Sequence, residues 1–441
     1  MKQNQWASRL GFVLATAGAA IGLGNLWKFP YLMGSNGGFF FLIAYLVFIV
    51  ILGLPVMMLE MSLGRYTGKN PVASYRQIHP KAGIVGVFGV LSAMMILSYY
   101  SVIGGWIIKY VISYVTTFQA PADFTAFTSN GPETTLWHFV FMAITVLICL
   151  KGVSGIEKAS KFMMPTLFIL LLVVIVRNVT LPNAGEGLKF IFTPSESSFS
   201  LSSISTALGQ VFYSLSLCMG ITITYGSYLK KGENIPRSCG HVAIMDTTIA
   251  VLAGIAIFPA VFSFGLEPGQ GPSLIFGTLP KVFSEIAGGS IFAILFFALV
   301  LFAAVTSAIA LLEVVVSFVV GSMGWSRKKA VLLVGGLIFL LGIPSCLSFG
   351  PLADVTLAGY TFFDLVGLLT DNFLLPIGGI LMCWFVGWKW NPNILVDEIK
   401  DGCPGFKLQK VWVLCIRFLT PILVLIVTIS GFINIYQTIV G

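Results

Sequence analysis

The segment AGAAIGLGN at residues 17–25 lies inside an apolar stretch that runs from Trp6 to Met33. This stretch is long enough to cross a bilayer, for which a helix needs about 20 apolar residues. Three glycines within seven residues, followed by the polar Asn25, predict a break in the helix, because each glycine costs about 1 kcal/mol relative to alanine. Backbone groups released in hydrocarbon need a partner, so the break predicts a binding site whose carbonyl groups suit a cation and whose N–H groups suit a carboxylate. The other interpretation is that the glycines only allow close helix packing.

The composition indicates a polytopic membrane protein. Of the 441 residues, 57% are hydrophobic and 10% are charged, whereas soluble proteins contain roughly 25% charged residues. The net charge of +8 requires no nucleic-acid partner, because the basic residues fall in alternate connections that are cytoplasmic by the positive-inside rule. The seven cysteines are scattered without a CxxC motif, which indicates neither a disulfide framework nor a zinc site.

Apolar runs of spanning length predict eleven transmembrane helices in an all-α fold. The basic connections place the N-terminus in the cytoplasm, and an odd number of spans then places the C-terminus outside the cell membrane. The predicted spans are 7–33, 38–64, 84–117, 135–150, 161–180, 201–229, 240–266, 288–321, 330–346, 358–388 and 409–438.

The sixth predicted span carries a second interruption. Two serines, a glycine and a threonine weaken the middle of GQVFYSLSLCMGIT at 209–222, although serines in a packed helix also bond back to the preceding turn. Because spans 1 and 6 are an odd number of spans apart, two five-helix halves at 1–180 and 201–388 have opposite orientations, with 409–438 as an additional helix. Paired interruptions in inverted halves are typical of a transporter's binding site.

Six stretches allow a more specific interpretation. They are WASRLGFVLATAGAAIGLGNLWKFPY (6–31), GLPVMMLEMSLGR (53–65), SYYSVIGGW (98–106), GQVFYSLSLCMGITITYGSY (209–228), DTTIAVLAGIAIFP (246–259) and FAAVTSAIALLE (302–313). In this order they closely resemble the neurotransmitter:sodium symporter family, including its bacterial amino-acid transporters of the leucine-transporter type. The resemblance implies the leucine-transporter fold, a five-plus-five inverted repeat with helices 1 and 6 broken, in the eleven-helix form of a bacterial subset. It also implies sodium-coupled uptake of an amino acid.

By this resemblance, one sodium ion binds to the carbonyl groups of Gly18, Ile21 and Ala303 and to the hydroxyl groups of Thr306 and Ser307. The spacing of the last three fits independently, since residues three and four apart share a helix face and hard cations prefer oxygen ligands. The other interpretation of the two hydroxyl groups is hydrogen bonding between helices.

A second sodium ion is implied at the Ala20 carbonyl, the side chains of Asn25, Ser214 and Asp246, and the carboxylate of the substrate. A carboxylate inside an apolar helix is costly and by default functional. The other interpretation is that Asp246 lies at a helix end that water reaches.

Asp246 also bears on chloride. The animal members of the family usually have asparagine at this position and bind chloride nearby, at positions that correspond here to Tyr45, Gln210, Ser214 and Ala250. Because Asp246 supplies a fixed negative charge, no chloride requirement is expected. The two implied sites make two sodium ions the expected coupling ions.

For the substrate, the resemblance implies a carboxylate bound to the N–H groups of Gly22 and Gly24, to the Tyr100 hydroxyl and to one sodium ion. The amino group is expected at carbonyl groups near Ala20 and Tyr213, where the half-helix dipoles are negative. The pocket around the substrate side chain is expected to consist of Ile96, Tyr213, Ser216, Cys218, Met219 and Leu311. These walls predict a neutral L-amino acid with a large hydrophobic or aromatic side chain, although Tyr100 could instead be a packing aromatic.

Two gates complete the expected mechanism. Lys28 and Asp364 are the expected ion pair of the outer gate. The inner gate of the family has an arginine and an aspartate at positions that hold Gln3 and Gly321 here. Because both charged partners are absent together, inward closure is expected to depend on Trp6 and polar contacts.

A membrane enzyme and an ion channel are the alternatives from other functional classes. An enzyme needs a reactive cluster, but the three histidines lie far apart in the sequence and no metal or triad spacing occurs. A channel lines its pore by symmetry or with charged rings, whereas an inverted repeat within one chain favours a carrier. Exchange of labelled for unlabelled substrate separates a carrier from both.

Overall fold

The computed structural model describes residues 5–194, 200–266 and 274–440, and within these ranges the fold is all-helical apart from an isolated bridge between Leu357 and Tyr360. Gln3, one of the two expected inner-gate positions, lies outside the described residues. In chain order the helices are α1 (Arg9–Ala20), α2 (Gly24–Ser35), α3 (Phe39–Thr67), α4 (Pro71–Ile78), α5 (Pro80–Thr117), α6 (Phe124–Ser129), α7 (Gly131–Leu150), α8 (Gly152–Asn178), α9 (Ala184–Phe192), α10 (Leu201–Ser214), α11 (Ile221–Gly226), α12 (Ile235–Ser263), α13 (Leu279–Glu285), α14 (Gly289–Met323), α15 (Arg327–Leu347), α16 (Phe362–Lys389), α17 (Asn393–Gly402) and α18 (Gln409–Gln437).

These helices have the lengths and composition of a multi-pass membrane protein. Within the described ranges, nine are long and apolar enough to cross a membrane, and the bent pair of α1 and α2 raises the number to ten. These ten coincide with ten of the predicted spans. The sixth predicted span falls on α10 and α11, which residues 215–220 separate, so the total of eleven stays a prediction.

Burial separates a central layer of helices from a lipid-facing one. In the most apolar 18 residues of each helix, 72% of the residues are buried in α14 and 67% in α5. The corresponding shares are 28% in α8 and 33% in α18. The site residues expected on α5 and α14 are therefore enclosed by other helices, whereas α8 and α18 lie at the edge.

The break expected in the first span is present. Ser8 caps the start of α1, and its hydroxyl donates to Glu157 of α8 at 2.8 Å, which fixes this end of the helix. Helix α1 ends at Ala20, because Ile21 takes an extended conformation with φ −74° and ψ 95°. Helix α2 then leaves at an angle of 50° to α1.

The second break is held in a costly backbone conformation. Between α10 and α11, Ser216, Cys218 and Gly220 have φ of 52°, 62° and 73°. A left-handed conformation costs an L-residue about 1–2 kcal/mol, so neighbouring groups must hold the serine and the cysteine there.

The two broken segments lie side by side and run antiparallel. Three hydrogen bonds join them: Trp6 Nε1 to the Tyr225 carbonyl at 3.1 Å, Ser216 Oγ to the Ala19 carbonyl at 3.1 Å, and Gln210 Nε2 to the Gly24 carbonyl at 3.0 Å. From the first of these bonds to the third, the residue number in the α1–α2 segment rises while the residue number in the α10–α11 segment falls. This arrangement has the orientation that an inverted repeat requires, while the repeat of all five helices stays a prediction.

Candidate functional site

The end of α1 faces the middle of α14 through Ser307. The Ser307 Oγ atom lies 3.3 Å from the Gly18 carbonyl oxygen, 3.1 Å from that of Ala19 and 3.5 Å from that of Ile21. The N–H groups that would continue the helix have other partners: that of Gly22 donates to Asn25 Oδ1 at 3.3 Å and that of Leu23 to the Tyr100 hydroxyl at 3.2 Å. The break therefore frees the carbonyl groups at the end of α1.

Thr306 completes this cluster. Its hydroxyl lies 3.0 Å from the Ala303 carbonyl oxygen, and a Cβ atom built on Gly18 would lie 3.2 Å from Thr306 Cβ. The structure thus brings together all five residues expected at the first sodium site. Carbonyl and hydroxyl oxygens from buried backbone and side chains form a donor set that suits a hard cation. We call Gly18, Ala19, Ile21, Ala303, Thr306 and Ser307 the α1–α14 oxygen cluster, in which Ala19 is an addition that the sequence did not predict.

Asp246 is the centre of a second cluster. Its Oδ1 atom accepts from Asn25 Nδ2 at 2.8 Å, and its Oδ2 atom accepts from the hydroxyl groups of Ser214 at 2.8 Å and Tyr45 at 3.0 Å. The carboxylate lies about three turns into α12 and is fully buried, so it is not at a water-exposed helix end. Within the described part of the chain, no lysine or arginine pairs with it.

Two of the four positions that correspond to the family's chloride site, Tyr45 and Ser214, face this carboxylate. The Tyr45 and Ser214 hydroxyl groups both lie within hydrogen-bonding distance of Asp246 Oδ2. Gln210 instead donates to the Gly24 carbonyl, and Ala250 is buried and has no polar side chain. The two hydroxyl groups that would bind chloride therefore already bind an anion of the protein, the Asp246 carboxylate.

A cavity of about 30 Å³ lies between the two breaks. Every residue expected to bind substrate lines this cavity except Cys218. Ala19, Leu23 and Ile221 also line it, although the sequence did not predict them. The lining residues are Ala19, Ala20, Gly22, Leu23, Gly24, Ile96, Tyr100, Tyr213, Ser216, Met219, Ile221, Ser307 and Leu311.

Glycine is required at two points of this lining. A Cβ atom on Gly22 would lie 2.4 Å from Ser307 Oγ, and one on Gly24 would lie 2.9 Å from the Tyr213 ring. Any larger residue would displace a side chain of the site. Because the cavity is small, a large solute also requires the lining to move, and Met219 is an adaptable part of the wall.

Cys218 does not line the cavity, contrary to the expectation. Its left-handed backbone turns the side chain toward α16, where a Cβ atom on Gly379 would lie 3.3 Å from the sulfur. Its N–H group donates to Glu60 Oε2 at 3.3 Å, and the Thr222 hydroxyl donates to the same atom at 2.5 Å. Glu60 thus bridges the second break, a role that the sequence reasoning missed. The available signal was the same as for Asp246, a carboxylate inside an apolar helix.

The predicted outer ion pair of Lys28 with Asp364 is wrong. Lys28 Nζ lies 3.0 Å from Asp371 Oδ2 and 4.2 Å from the centre of the Tyr213 ring. Asp364 caps the start of α16 instead, where it accepts from the Thr361 N–H and hydroxyl groups. Asp364 and Asp371 are seven residues apart, about two helical turns, so they share a helix face but lie at different depths.

Trp6 lies at the end of the first broken segment opposite Lys28. It is only 3% exposed, and its backbone N–H donates to the Tyr228 carbonyl at 3.3 Å. Gly321, the other inner-gate position, lies against Asn70, whose Nδ2 atom would be 2.6 Å from a Cβ atom there. An aspartate side chain at position 321 would therefore displace Asn70.

Three other side chains link the helices near Trp6. Glu313 of α14 is fully buried and accepts from the Tyr228 hydroxyl at 2.8 Å and from both terminal nitrogens of Arg327, at 3.0 and 2.5 Å. Arg327 also donates to the Cys149 carbonyl at the end of α7. We call Tyr228, Glu313 and Arg327 the inner triad.

Two broken helices around one buried cavity, with oxygen clusters beside it, define a secondary transporter driven by a cation. The model of the "Sodium:neurotransmitter symporter family" matches residues 3–125 and 126–440. The chain belongs to this family. It is a symporter that uses sodium, and it is not an enzyme.

Relatives and one solved structure extend this assignment. The chain is 41% identical to the uncharacterized sodium-dependent transporter YhdH of Bacillus subtilis, over 97% of this chain and 98% of that protein. It is 26% identical to the sodium- and chloride-dependent GABA transporter 2 of Rattus norvegicus, over 96% and 78% of the two chains. The crystal structure of MhsT in complex with L-phenylalanine matches with a TM-score of 0.90 and 42% identity, over 97% of this chain and all of that one.

Proposed function

We propose that this protein is a chloride-independent symporter that uses sodium to take up a neutral L-amino acid with a large hydrophobic or aromatic side chain. The observation that carries the proposal is that both helix breaks meet at one buried cavity between two oxygen clusters. The likeness to MhsT, which was crystallised with L-phenylalanine, supports the type of substrate. The protein acts in the cell membrane, with its N-terminus in the cytoplasm and its C-terminus outside.

Two sodium ions are transported with each substrate. One binds to the α1–α14 oxygen cluster. The other binds between the Ala20 carbonyl, Asn25, Ser214 and Asp246, and the substrate carboxylate supplies a further oxygen. Two cations and one carboxylate leave an excess of positive charge at the middle of the membrane, where an uncompensated charge costs about 3 kcal/mol or more. Asp246 offsets this excess.

The substrate lies between the breaks. Its carboxylate binds to N–H groups around Gly22 and Gly24 and to the Tyr100 hydroxyl, which is directed toward this backbone by the Leu23 N–H group. Its amino group binds to carbonyl groups near Ala20 and Tyr213. Ile96, Met219 and Leu311 contribute apolar walls, and because no acidic or basic side chain lines the cavity among the described residues, a charged substrate side chain would have no partner.

The direction of the Tyr45 and Ser214 hydroxyl groups supports chloride independence. Both face Asp246, so a second anion at the same place would be repelled by the carboxylate and would find no free donor there. The fixed charge therefore replaces a transported or bound anion.

Alternating access is controlled at both ends of the broken segments. Lys28 and Asp371 close the outer side over Tyr213. Trp6 closes the inner side. The inner triad takes the place of the ion pair that Gln3 and Gly321 lack, because charged hydrogen bonds join Glu313 of α14 to Arg327 of α15 and to Tyr228, two residues after α11.

The test of this function is uptake into proteoliposomes that contain the purified protein. An inward sodium gradient should drive accumulation of labelled phenylalanine or leucine, whereas an equal gradient of choline or potassium should not. Labelled substrate should also exchange for unlabelled substrate inside. Accumulation that is the same in choline would contradict the proposal, as would glutamate, lysine or an amine without a carboxylate as the best competitor.

The substitution Met219→Phe tests the proposed wall of the substrate pocket. The rigid ring should narrow the wall that Met219 forms and shift the ranking of competitors toward smaller side chains by several-fold. Cys218→Ala serves as the matched control, because Cys218 is adjacent in sequence but faces away from the cavity. Equal changes of ranking in both variants would show that the wall is not formed as described.

A further inference from the structure

Arg177 stands out among the basic residues of the bundle by its position. It lies twenty residues after Glu157 on α8, and Glu157 binds Ser8 and Lys161 near the Trp6 end of the molecule. Twenty helical residues span about 30 Å, which is the thickness of the hydrocarbon core. Arg177 is therefore at the level of the opposite membrane surface, on the helix with the smallest buried fraction among the candidate spans.

The charge of Arg177 has no acidic partner in the described residues, whereas Lys28 and Lys109 pair with Asp371 and Glu133. Its Nη1 atom donates to the Thr180 hydroxyl at 3.2 Å, and its guanidinium carbon lies 5.9 Å from the centre of the Phe292 ring. These contacts hold the guanidinium in place, and its other N–H groups have no hydrogen-bond partner in the part of the chain that the structure describes.

An apolar groove begins beside this guanidinium. It has a volume of about 420 Å³ and is lined by Leu172, Val173, Val176, Arg177, Thr180 and Phe292. Val176 is 65% exposed and Leu172 and Val173 are each 39% exposed, so the groove opens on the lipid-facing side of α8. A groove for an acyl chain with a cation at the height of the headgroup has the chemistry of a phospholipid site.

We propose that this groove binds one membrane phospholipid with an anionic headgroup, such as phosphatidylglycerol. One acyl chain packs against Leu172, Val173, Val176 and Phe292. The phosphate accepts hydrogen bonds from Arg177, for which guanidinium geometry is well suited. A net anionic lipid is favoured over a zwitterionic one because the ammonium group of the latter would oppose the unpaired charge of Arg177. The proposal of a lipid site does not rest on the proposed transport function.

Native mass spectrometry and thermal unfolding of the detergent-purified protein test the proposal. Phosphatidylglycerol should remain bound and raise the unfolding temperature, and phosphatidylcholine of the same chain length should have a smaller effect. Arg177→Gln should remove this difference between the lipids and weaken phosphatidylglycerol binding about tenfold. Lys281→Gln, which removes an exposed charge outside the groove, should bind as the wild type does.

Val176→Phe tests the groove with the charge intact. The ring should occupy the acyl-chain space and weaken both lipids, and this variant decides the matter if Arg177→Gln does not fold. Phosphatidylglycerol binding of wild-type strength and selectivity in either folded variant would overturn the proposal. Equal losses in Arg177→Gln and Lys281→Gln would also overturn it, because they would indicate attraction by surface charge alone.

Discussion

Two buried carboxylates, Asp246 and Glu60, lie at the two helix breaks, and their partners differ. Asp246 accepts from three side chains, those of Asn25, Tyr45 and Ser214. Glu60 accepts from the Cys218 backbone and from the Thr222 hydroxyl, both at the second break itself. The exposed fractions of the two residues are 0% and 1%.

We propose that this difference separates an ion site at Asp246 from a structural bridge at Glu60. Side-chain hydroxyl and amide groups can rotate and offer their oxygens to a cation, and the partners of Asp246 are of this kind. Glu60 has one partner of this kind, the Thr222 hydroxyl, but its other partner is the Cys218 backbone N–H group, which has no lone pair to offer a cation. Because both partners lie at the second break, the contacts of Glu60 hold the strained segment in place. Equal burial of two carboxylates therefore does not imply an equal role.

Asp246→Asn should have the largest effect. The substitution removes the charge that offsets the sodium ions but keeps an oxygen ligand, so sodium-driven uptake should fall by more than about tenfold, which corresponds to about 1.4 kcal/mol. Chloride should restore part of the lost uptake, whereas wild-type uptake should be equal in chloride and gluconate.

Glu60→Gln is the matched control for this experiment. If chloride withdrawal stopped uptake by the wild type, or if Glu60→Gln acquired the same chloride response, Asp246 would not be the compensating charge.

Thr306→Ala and Ser307→Ala should have the next largest effect. Each removes one hydroxyl oxygen from the α1–α14 oxygen cluster, and the sodium concentration for half-maximal uptake should rise about tenfold, for about 1.4 kcal/mol. Ser317→Ala is the control on the same helix, since that hydroxyl donates only to the Val314 carbonyl. If the variants changed substrate affinity at saturating sodium but kept the sodium dependence of the wild type, the two hydroxyl groups would not be sodium ligands.

Glu60→Gln should mainly affect stability. Its amide oxygen can still accept from Cys218 and Thr222, but hydrogen bonds to a neutral acceptor are about half as strong as those to a carboxylate. The free energy of unfolding should fall by about 1 kcal/mol, and Glu60→Ala should lower it further because the Cys218 N–H group loses its partner. A shift in sodium dependence as large as that of Thr306→Ala would erase the distinction between the two carboxylates.

Asp371→Asn should have the smallest effect. Both side chains of its pair with Lys28 are about one third exposed, and ion pairs that water reaches contribute about 1 kcal/mol or less. Release of bound substrate toward the outside should accelerate by no more than about fivefold. Asp364→Asn should leave the release rate unchanged and lower only the unfolding temperature, through its helix cap. The opposite pattern would reinstate Asp364 as the gate residue.

Much of the site was predictable because its residues interrupt a simple pattern. Glycines, serines and Asp246 inside apolar spans each indicate a local requirement that lipid cannot explain, and the family motifs assign them to positions. The residues predicted for the first sodium ion accordingly form one cluster, and Asn25, Ser214 and Asp246 form another. The residues predicted to bind substrate line one cavity, apart from Cys218, while their binding roles stay predictions. The family assignment from the same motifs is confirmed by the match over residues 3–125 and 126–440.

The errors arose where sequence position does not fix direction or depth. Cys218 lies between cavity residues, but its left-handed backbone turns it away. Asp364 and Asp371 share a helix face, so only their depth decides which one meets Lys28. Arg327 and Glu313 are fourteen residues apart in different helices, and nothing in the local pattern indicated that they meet.

Ser307 has one hydroxyl hydrogen, yet three carbonyl oxygens lie 3.1 to 3.5 Å from its oxygen. Whichever carbonyl group receives that hydrogen, the other two receive none from it, and rotating the hydroxyl only changes which two these are. The Ser216 hydroxyl also donates to the Ala19 carbonyl, so three carbonyl oxygens share two hydroxyl donors, and this shortage of donors at the end of α1 persists. Removing the Ser307 hydroxyl deepens this shortage while deleting a ligand, so the cluster should continue to attract sodium, but with one oxygen fewer to hold it.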